Sequence, residues 1–278
     1  MSRNNEERFG PKGDAGSESI AALPNPLDFV SPTEHVELPS RGLGYPQGHP
    51  LHNNETIEIK YMTAIEEDIL SSRSLLKKGL AIERLLQSII SDRNIQAKDL
   101  LVGDRNAILI AARRSAYGNI YDTKVTCPNC GTVGKNKFDL NDSIIKEGNQ
   151  LAENNIQITT AGLFRVFLPV TNFQVDFRLL RGQDELDMVK SMQKNKKNDG
   201  LISSQLKKII VSINDYDERH IIEGVVEKLP AQDSIFMRNV YKDCSPDIKI
   251  VNDFACSSCG FEQELEVPFG ADFFWPDR

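Results

Sequence analysis

CPNCG at residues 127–131 and CSSCG at residues 256–260 decide the reading of this chain. Each is a Cys-x-x-Cys followed by glycine, and each lies in a stretch that reads as a β-hairpin. A four-cysteine zinc ribbon is built from two such knuckles, each offering two thiolates on one tight turn. The glycine after the second cysteine accepts a φ that other residues resist, so backbone N–H groups can turn toward the sulfurs. One pair alone would say little, because a redox dithiol or chance gives the same motif. Two matched pairs point to Cys127, Cys130, Cys256 and Cys259 as the thiolate ligands of one structural metal ion.

A compact ribbon leaves about 15–20 residues between its pairs, whereas more than a hundred intervene here. A whole segment is therefore inserted between the knuckles, and the metal acts as a staple tying residues 121–139 to residues 246–269. The competing reading is two unrelated, reduced pairs far apart in space. A thioredoxin-like role needs a Cys-x-x-Cys at a helix N-terminus, where the dipole lowers the thiol pKa; neither pair precedes a helical pattern. Catalytic zinc needs an open position for water, which four thiolates do not leave. Four thiolates suit zinc or iron alike. The fifth cysteine, Cys244, lies near the end of a helical pattern and reads as a small core residue.

Composition bounds the rest. The 278 residues suffice for one large domain or two small ones, and 40% apolar with 26% charged residues allow both a core and solubility. A net charge of −7 opposes general nucleic-acid binding, which needs a basic surface to neutralise phosphates. No apolar run approaches the roughly 18 residues of a membrane span. The first residues, MSRNNEERFGPKGDAGSES, lack the apolar core of a signal peptide. Cysteines in metal spacing fit a reducing compartment.

The expected fold class is α+β. It comprises an N-terminal strand with a helical bundle, a split four-cysteine ribbon of two β-hairpins, and an α/β segment inserted between the knuckles. Residues 1–34 are polar and rich in Gly, Pro, Ser and Asn, a disordered or partner-docking arm in which Ile20–Leu23 and Leu27–Val30 are candidate docking pieces. Residues 35–120 form a loop, strand and helical region. Its turn-rich start, 36–51, excludes regular structure. A strand follows at Glu55–Tyr61. A helix opens at the capping-box pair Thr63 and Glu66, with Ile65, Ile69 and Leu70 on one side. Ile82, Leu85, Leu86, Ile89 and Ile90 mark a second helix. A third has Asp104 as N-cap and Gly118 as C-cap, with Arg113 and Arg114 suiting the dipole.

The ribbon takes 121–140 plus 246–269, and the inserted segment takes 141–245. Within the insert, 141–156 is a polar connection. Leu163–Leu168 and Phe173–Leu179 make a hairpin. Residues 183–193 read as a helix, 193–200 as a loop, Leu201–Ile213 as an amphipathic helix, 220–228 as a short strand and 229–244 as a helix opened by Pro230. Residues 270–278 are an aromatic tail: its Phe273, Phe274 and Trp275, with Phe269 just before it, either anchor an interface or fold back to cap the ribbon.

Catalytic signatures are missing. There is no G-x-S-x-G, H-E-x-x-H or phosphate-binding Gly-Lys-Ser/Thr. None of His35, His49, His52 and His220 sits with a plausible nucleophile, and Glu66, Glu67 and Asp68 read as an acidic first turn that favours the helix dipole.

In order along the chain, ELPSRGLGYP, KYMTAIEEDIL, KKGLAIERLLQSII, DLLVGDRNAILIAARRSAYG, CPNCG and LPAQDSIFMRNV resemble the baseplate hub subunit family of T4-like contractile-tailed bacteriophages. The resemblance covers about residues 36–269 and is most specific over 37–118. It implies a structural part in the tail baseplate hub, needed for tail assembly, and no catalytic residues. It implies neighbours among other hub, wedge or tail-tube proteins, no small-molecule substrate and no membrane. It also implies a place in the virion tail after assembly in the host cytoplasm, where thiolate–zinc ligation is compatible with reducing conditions. Within the same biology stands an assembly factor that templates the hub and then leaves. From another class comes a zinc-ribbon nucleic-acid-binding regulator, suggested by Lys124, Lys135 and Lys137 beside the first knuckle and opposed by Glu262, Glu264 and Glu266 beside the second. A redox enzyme using a Cys-x-x-Cys is the remaining reading.

Overall fold

A computed structural model describes residues 30–148, 155–187, 201–267 and 271–274. The chain divides into two units, Met1–Ser31 and Pro32–Arg278. The docking pieces proposed for the arm, except the exposed Val30 that ends the second, lie outside the described residues, as do 188–193 of the helix expected over 183–193, the loop at 193–200, Phe269 and Trp275.

The second unit opens with a two-stranded antiparallel sheet, β1 (Thr33–Glu37) against β2 (Thr56–Lys60), with Val36 opposite Ile57. β1 begins two residues inside the stretch read as arm, because its partner lies beyond a long turn-rich loop and its own sequence does not alternate cleanly. The loop between them is a chain of turns, as its glycines and prolines require, and buries Leu38, Tyr45 and Leu51. Helix α1 (Ala64–Ser71) has the full capping box expected: Thr63 caps it and the Glu66 carboxylate bonds back to the Thr63 N–H at 2.8 Å. Leu70 is buried, but Ile65 is largely exposed, so the apolar side of α1 is narrower than its sequence suggested. A short α2 (Arg73–Lys78) leads to α3 (Ala81–Ile89), whose Leu85, Leu86 and Ile89 are buried together with Ile90 just beyond. Burying each such side chain is worth about 1.5–3 kcal/mol.

The central element is α4 (Val102–Tyr117). Every residue from Ala107 to Arg113 is buried, so the helix is covered on nearly all sides. Its cap is Leu101, not Asp104. Asp104 sits inside the first turn, fully buried, and accepts hydrogen bonds from the Ser40 N–H (2.9 Å), the Ser40 hydroxyl (2.7 Å) and the Tyr45 hydroxyl (2.8 Å). The same Tyr45 hydroxyl accepts from the Leu101 N–H. An aspartate that reads as a cap thus bolts the turn-rich loop to the central helix.

The insert supplies a four-stranded antiparallel sheet in the order β6 (Gln157–Ile158), β7 (Phe164–Phe167), β8 (Gln174–Phe177), β9 (Ile210–Ile213). Helical residues 182–187 (α5) follow β8. α6 (Leu201–Ile209) stops where β9 begins, so Ile210 and Ile213 are strand residues and the helix expected through Ile213 is shortened. The open edge of β8 takes them into the sheet, which overrides a helical period that continues unbroken in the sequence. Residues 220–228 form a helix, α7 (Arg219–Lys228), and not a strand. Ile222 and Val226, one turn apart, are both buried, so burial at helical spacing outweighs the β-branched composition. α8 (Ala231–Cys244) follows Pro230 as expected and ends in a buried Cys244.

A last sheet has the order β11 (Glu262–Glu266), β10 (Asp247–Ala255), β5 (Ser143–Lys146). β5 lies in the stretch read as a plain polar connection; it pairs with the first residues of β10, Ile248 opposite Ile145. One hydrophobic core runs through β1, α3, α4, the inserted sheet, α8 and β10, ending at Phe273 and Phe274. Phe273 and Phe274 therefore fold back, but onto α4 and Tyr121 rather than over the knuckles. The Phe273 ring meets Tyr121 edge-on at 5.1 Å, and the Arg113 Nε–H donates to the Phe273 carbonyl. Phe273 and Phe274 are buried and are not exposed interface anchors. Among the described residues, no helix is long and apolar enough to cross a membrane.

Candidate metal centre

The first knuckle closes the hairpin of β3 (Ile120–Thr126) and β4 (Val133–Asp139); the second closes that of β10 and β11. They match position by position. In the first, the Cys127 N–H donates to the Thr132 carbonyl (2.9 Å) and the Gly131 N–H to the Cys127 carbonyl (2.9 Å). In the second, the Cys256 N–H donates to the Phe261 carbonyl (2.8 Å) and the Gly260 N–H to the Cys256 carbonyl (2.9 Å). Gly131 and Gly260 have φ of 72° and 69°, the left-handed conformation expected of them.

The structure brings all four predicted cysteines together, with their sulfurs within 4.8 Å of one another. The closest approaches cross between knuckles: Cys127 to Cys259 at 3.8 Å and Cys130 to Cys256 at 3.7 Å. These exceed the 2.05 Å of a disulfide, and all four thiols are free. A tetrahedral ion with metal–sulfur bonds near 2.3 Å requires sulfurs about 3.8 Å apart. Cys127 and Cys256 are buried with Phe254 in a small apolar cluster that Val125, Phe261 and Leu265 complete; Cys130 and Cys259 are exposed.

Backbone amides favour the thiolate form. The Thr132 hydroxyl and N–H draw Cys130 down to about 6, and the N–H groups of Cys259 and Ser258 lower Cys256. At Cys259 the Phe261 N–H pulls down, but the neighbouring sulfur of Cys130 pushes up and the thiol ends near 11. Mutual repulsion thus holds back full ionisation, and a cation among the sulfurs would remove that obstacle. Asn129 adds a donor that the motif alone did not mark: its Nδ2–H faces the Cys259 sulfur at 3.7 Å. Its only sequence signal is a polar residue between the two cysteines. The donor set, the spacing and the amides all fit a four-thiolate ion.

The histidines form no comparable group. His49 stacks on Tyr45 at 4.7 Å and its Nδ1 accepts from the Leu51 N–H, while the His52 Nδ1 lies 2.8 Å from the Tyr45 carbonyl. Burial pushes the Cys244 thiol up to about 12, which makes it a poor nucleophile.

No curated protein and no solved structure matches this chain. A protein-family model does, that of the T4 bacteriophage base plate protein, over residues 36–275. The match starts in β1, includes both knuckles and extends past the buried Phe273 and Phe274. Across that length the chain belongs to the T4 bacteriophage base plate protein family.

Proposed function

We propose that this protein is a structural component of the tail baseplate hub, needed for tail assembly, and that Cys127, Cys130, Cys256 and Cys259 hold a structural zinc ion. Family membership implies a structural role in the phage baseplate beside other baseplate proteins, and a place in the virion tail. The observation that carries the finer reading is the four-sulfur cluster linking two hairpins more than a hundred residues apart. A part that transmits load between neighbours gains from such a staple, since metal binding to a thiolate site contributes on the order of 10 kcal/mol to the folded form. Zinc fits the closed, redox-silent role. Hub, wedge or tail-tube proteins are the proposed neighbours, and the host cytoplasm the place of assembly and metal loading.

Quantitative mass spectrometry of purified mature particles tests the hub assignment, with major tail proteins as internal standard. A fixed low copy number, retained in isolated tails, is expected. Presence in infected-cell lysate with complete absence from particles would instead establish an assembly factor that leaves. Metal analysis of the purified chain tests the zinc: one zinc per chain and no visible thiolate-to-iron absorption is expected, and a coloured iron-bearing protein would overturn it.

A further inference from the structure

The two knuckle hairpins share a backbone plan but carry opposite charge at matching places. Directly opposite residues of an antiparallel pair lie on the same face. In the first hairpin, two positions back from Thr126 and Val133, Lys124 stands opposite Lys135. In the second, two positions back from Ala255 and Glu262, Asp253 stands opposite Glu264. Like charges directly opposite destabilise a hairpin, yet this chain places them so twice, with opposite sign.

All four side chains are exposed, and none has an ion-pair partner within 4.0 Å among the described residues. Further from each knuckle, charges are compensated: Lys137 lies 3.8 Å from Asp122, and Lys249 is 2.8 Å from Glu266. The uncompensated pairs lie on the outer faces. Val125 of the first hairpin packs with Phe254 and Leu265 of the second around Cys127 and Cys256, so the hairpins meet through their inner faces. Successive strand residues point to opposite faces. Lys124 and Lys135 therefore look out from one side of the ribbon, and Asp253 and Glu264 from the other.

We infer that the ribbon is a head-to-tail interface between copies of this chain, the lysine face of one docking on the carboxylate face of the next. Charge complementarity carries the assignment: this chain itself presents both halves, at equivalent positions on equivalent scaffolds. A polyanion such as nucleic acid fits the lysines less well, because the chain's net charge of −7 repels it. A contact of this kind uses two different patches, so it closes into a ring or continues as a filament. The inference rests on the hairpin geometry and not on the hub assignment.

Sedimentation velocity of the metal-loaded full chain tests it at low (about 50 mM) and high (about 500 mM) salt, since exposed charge pairs are screened. Concentration-dependent association is expected at low salt and should weaken at high salt. Lys124→Glu with Lys135→Glu makes both faces acidic; Asp253→Lys with Glu264→Lys makes both basic. Each pair should weaken self-association by roughly tenfold or more. Mixing the two proteins, or combining all four changes in one chain, should restore association. Unchanged circular dichroism and metal content establish that each variant is folded. If a double reversal fails that control, Lys135→Gln and Glu264→Gln are read in its place and should each weaken association. A wild-type chain that stays monomeric at low salt, association indifferent to the substitutions, or failure of the mixture to associate would overturn the inference. So would a monomer that binds a short DNA duplex through Lys124 and Lys135.

Discussion

The Cys127 sulfur lies 3.8 Å from that of Cys259, a residue 132 positions further along the chain. The other close contact, Cys130 to Cys256, crosses the same way, so the first cysteine of each knuckle touches the second of the other. An ion at this site therefore joins hairpins rather than closing either one. Replacing Cys127 by serine, or stripping the metal with a chelator, should abolish stoichiometric metal binding and open both hairpins. The main core, built largely on α4, β8 and α8, does not depend on the sulfurs. Hydrogen exchange should accelerate across 120–139 and 251–266 while α4 stays protected. Equal loss of protection in α4 would show that the staple supports the whole unit.

Acid should release the metal too, because each ligand must be a thiolate. Elsewhere the pH response has the opposite sign. Asp104 is fully buried with no basic side chain within ion-pair distance among the described residues, and burial raises its carboxyl above the usual value although Ser40 and Tyr45 donate to it. A raised folded pKa means that the folded state holds the proton more tightly than the unfolded chain. Stability from this group is then greatest below the unfolded pKa and falls as pH rises through the folded one. Asp104→Asn should flatten that fall in urea melts taken from the ordinary carboxylate range up to neutrality. Asp104→Ala should cost about 3 kcal/mol at low pH, because three buried donors lose their acceptor, and less as pH rises, because alanine has no proton to lose.

What could be read from the sequence was what is local or covalent. Cys-x-x-Cys-Gly specifies a knuckle by itself, Thr63 with Glu66 specifies a helix start, and Leu85, Leu86 and Ile89 specify a buried helix face. Where the sequence misled, the deciding partner was remote. Nothing between Leu201 and Ile213 announces that β8 will recruit Ile210 as a strand residue. Asp104 resembles a cap until Ser40 and Tyr45 are seen around it. The four cysteines were legible as a set because two matching Cys-x-x-Cys-Gly words are what one four-thiolate cluster requires. The donors that shape the thiolates, the Thr132, Ser258 and Phe261 amides and Asn129, belong to backbone geometry and have almost no sequence signature.

Glycines at two kinds of position should respond differently to alanine. At Gly131 a Cβ would meet nothing within 4 Å, so Gly131→Ala carries only the conformational cost of positive φ, about 1 kcal/mol. Gly103 lies in α4 with no such conformation, and alanine there favours the helix. Its Cβ would sit 2.2 Å from the Pro246 carbonyl oxygen, backbone that leads into β10. Gly103→Ala should cost more than roughly 2 kcal/mol, since a packed backbone has to move. Denaturant midpoints measured side by side should rank Gly103→Ala well below Gly131→Ala; the reverse order would show that the approach of α4 to Pro246 is soft.

The aromatic turn at the end of the described chain offers the last test. Arg113 is buried, donates to the Phe273 carbonyl at 3.1 Å and to the Gly118 carbonyl at 3.3 Å, and lies over the Tyr117 ring at 4.9 Å. Its guanidinium thus ties the end of α4 to the turn that carries Phe273 and Phe274. Because Phe273 is part of the core, Phe273→Ala should destabilise the isolated protein by about 3–5 kcal/mol. Arg113→Met should cost about 1–3 kcal/mol by leaving two carbonyls without their donor. The two changes together should cost less than their sum, because they remove one shared contact. An isolated protein whose stability Phe273→Ala leaves unchanged would return the aromatic turn to the role of a surface anchor.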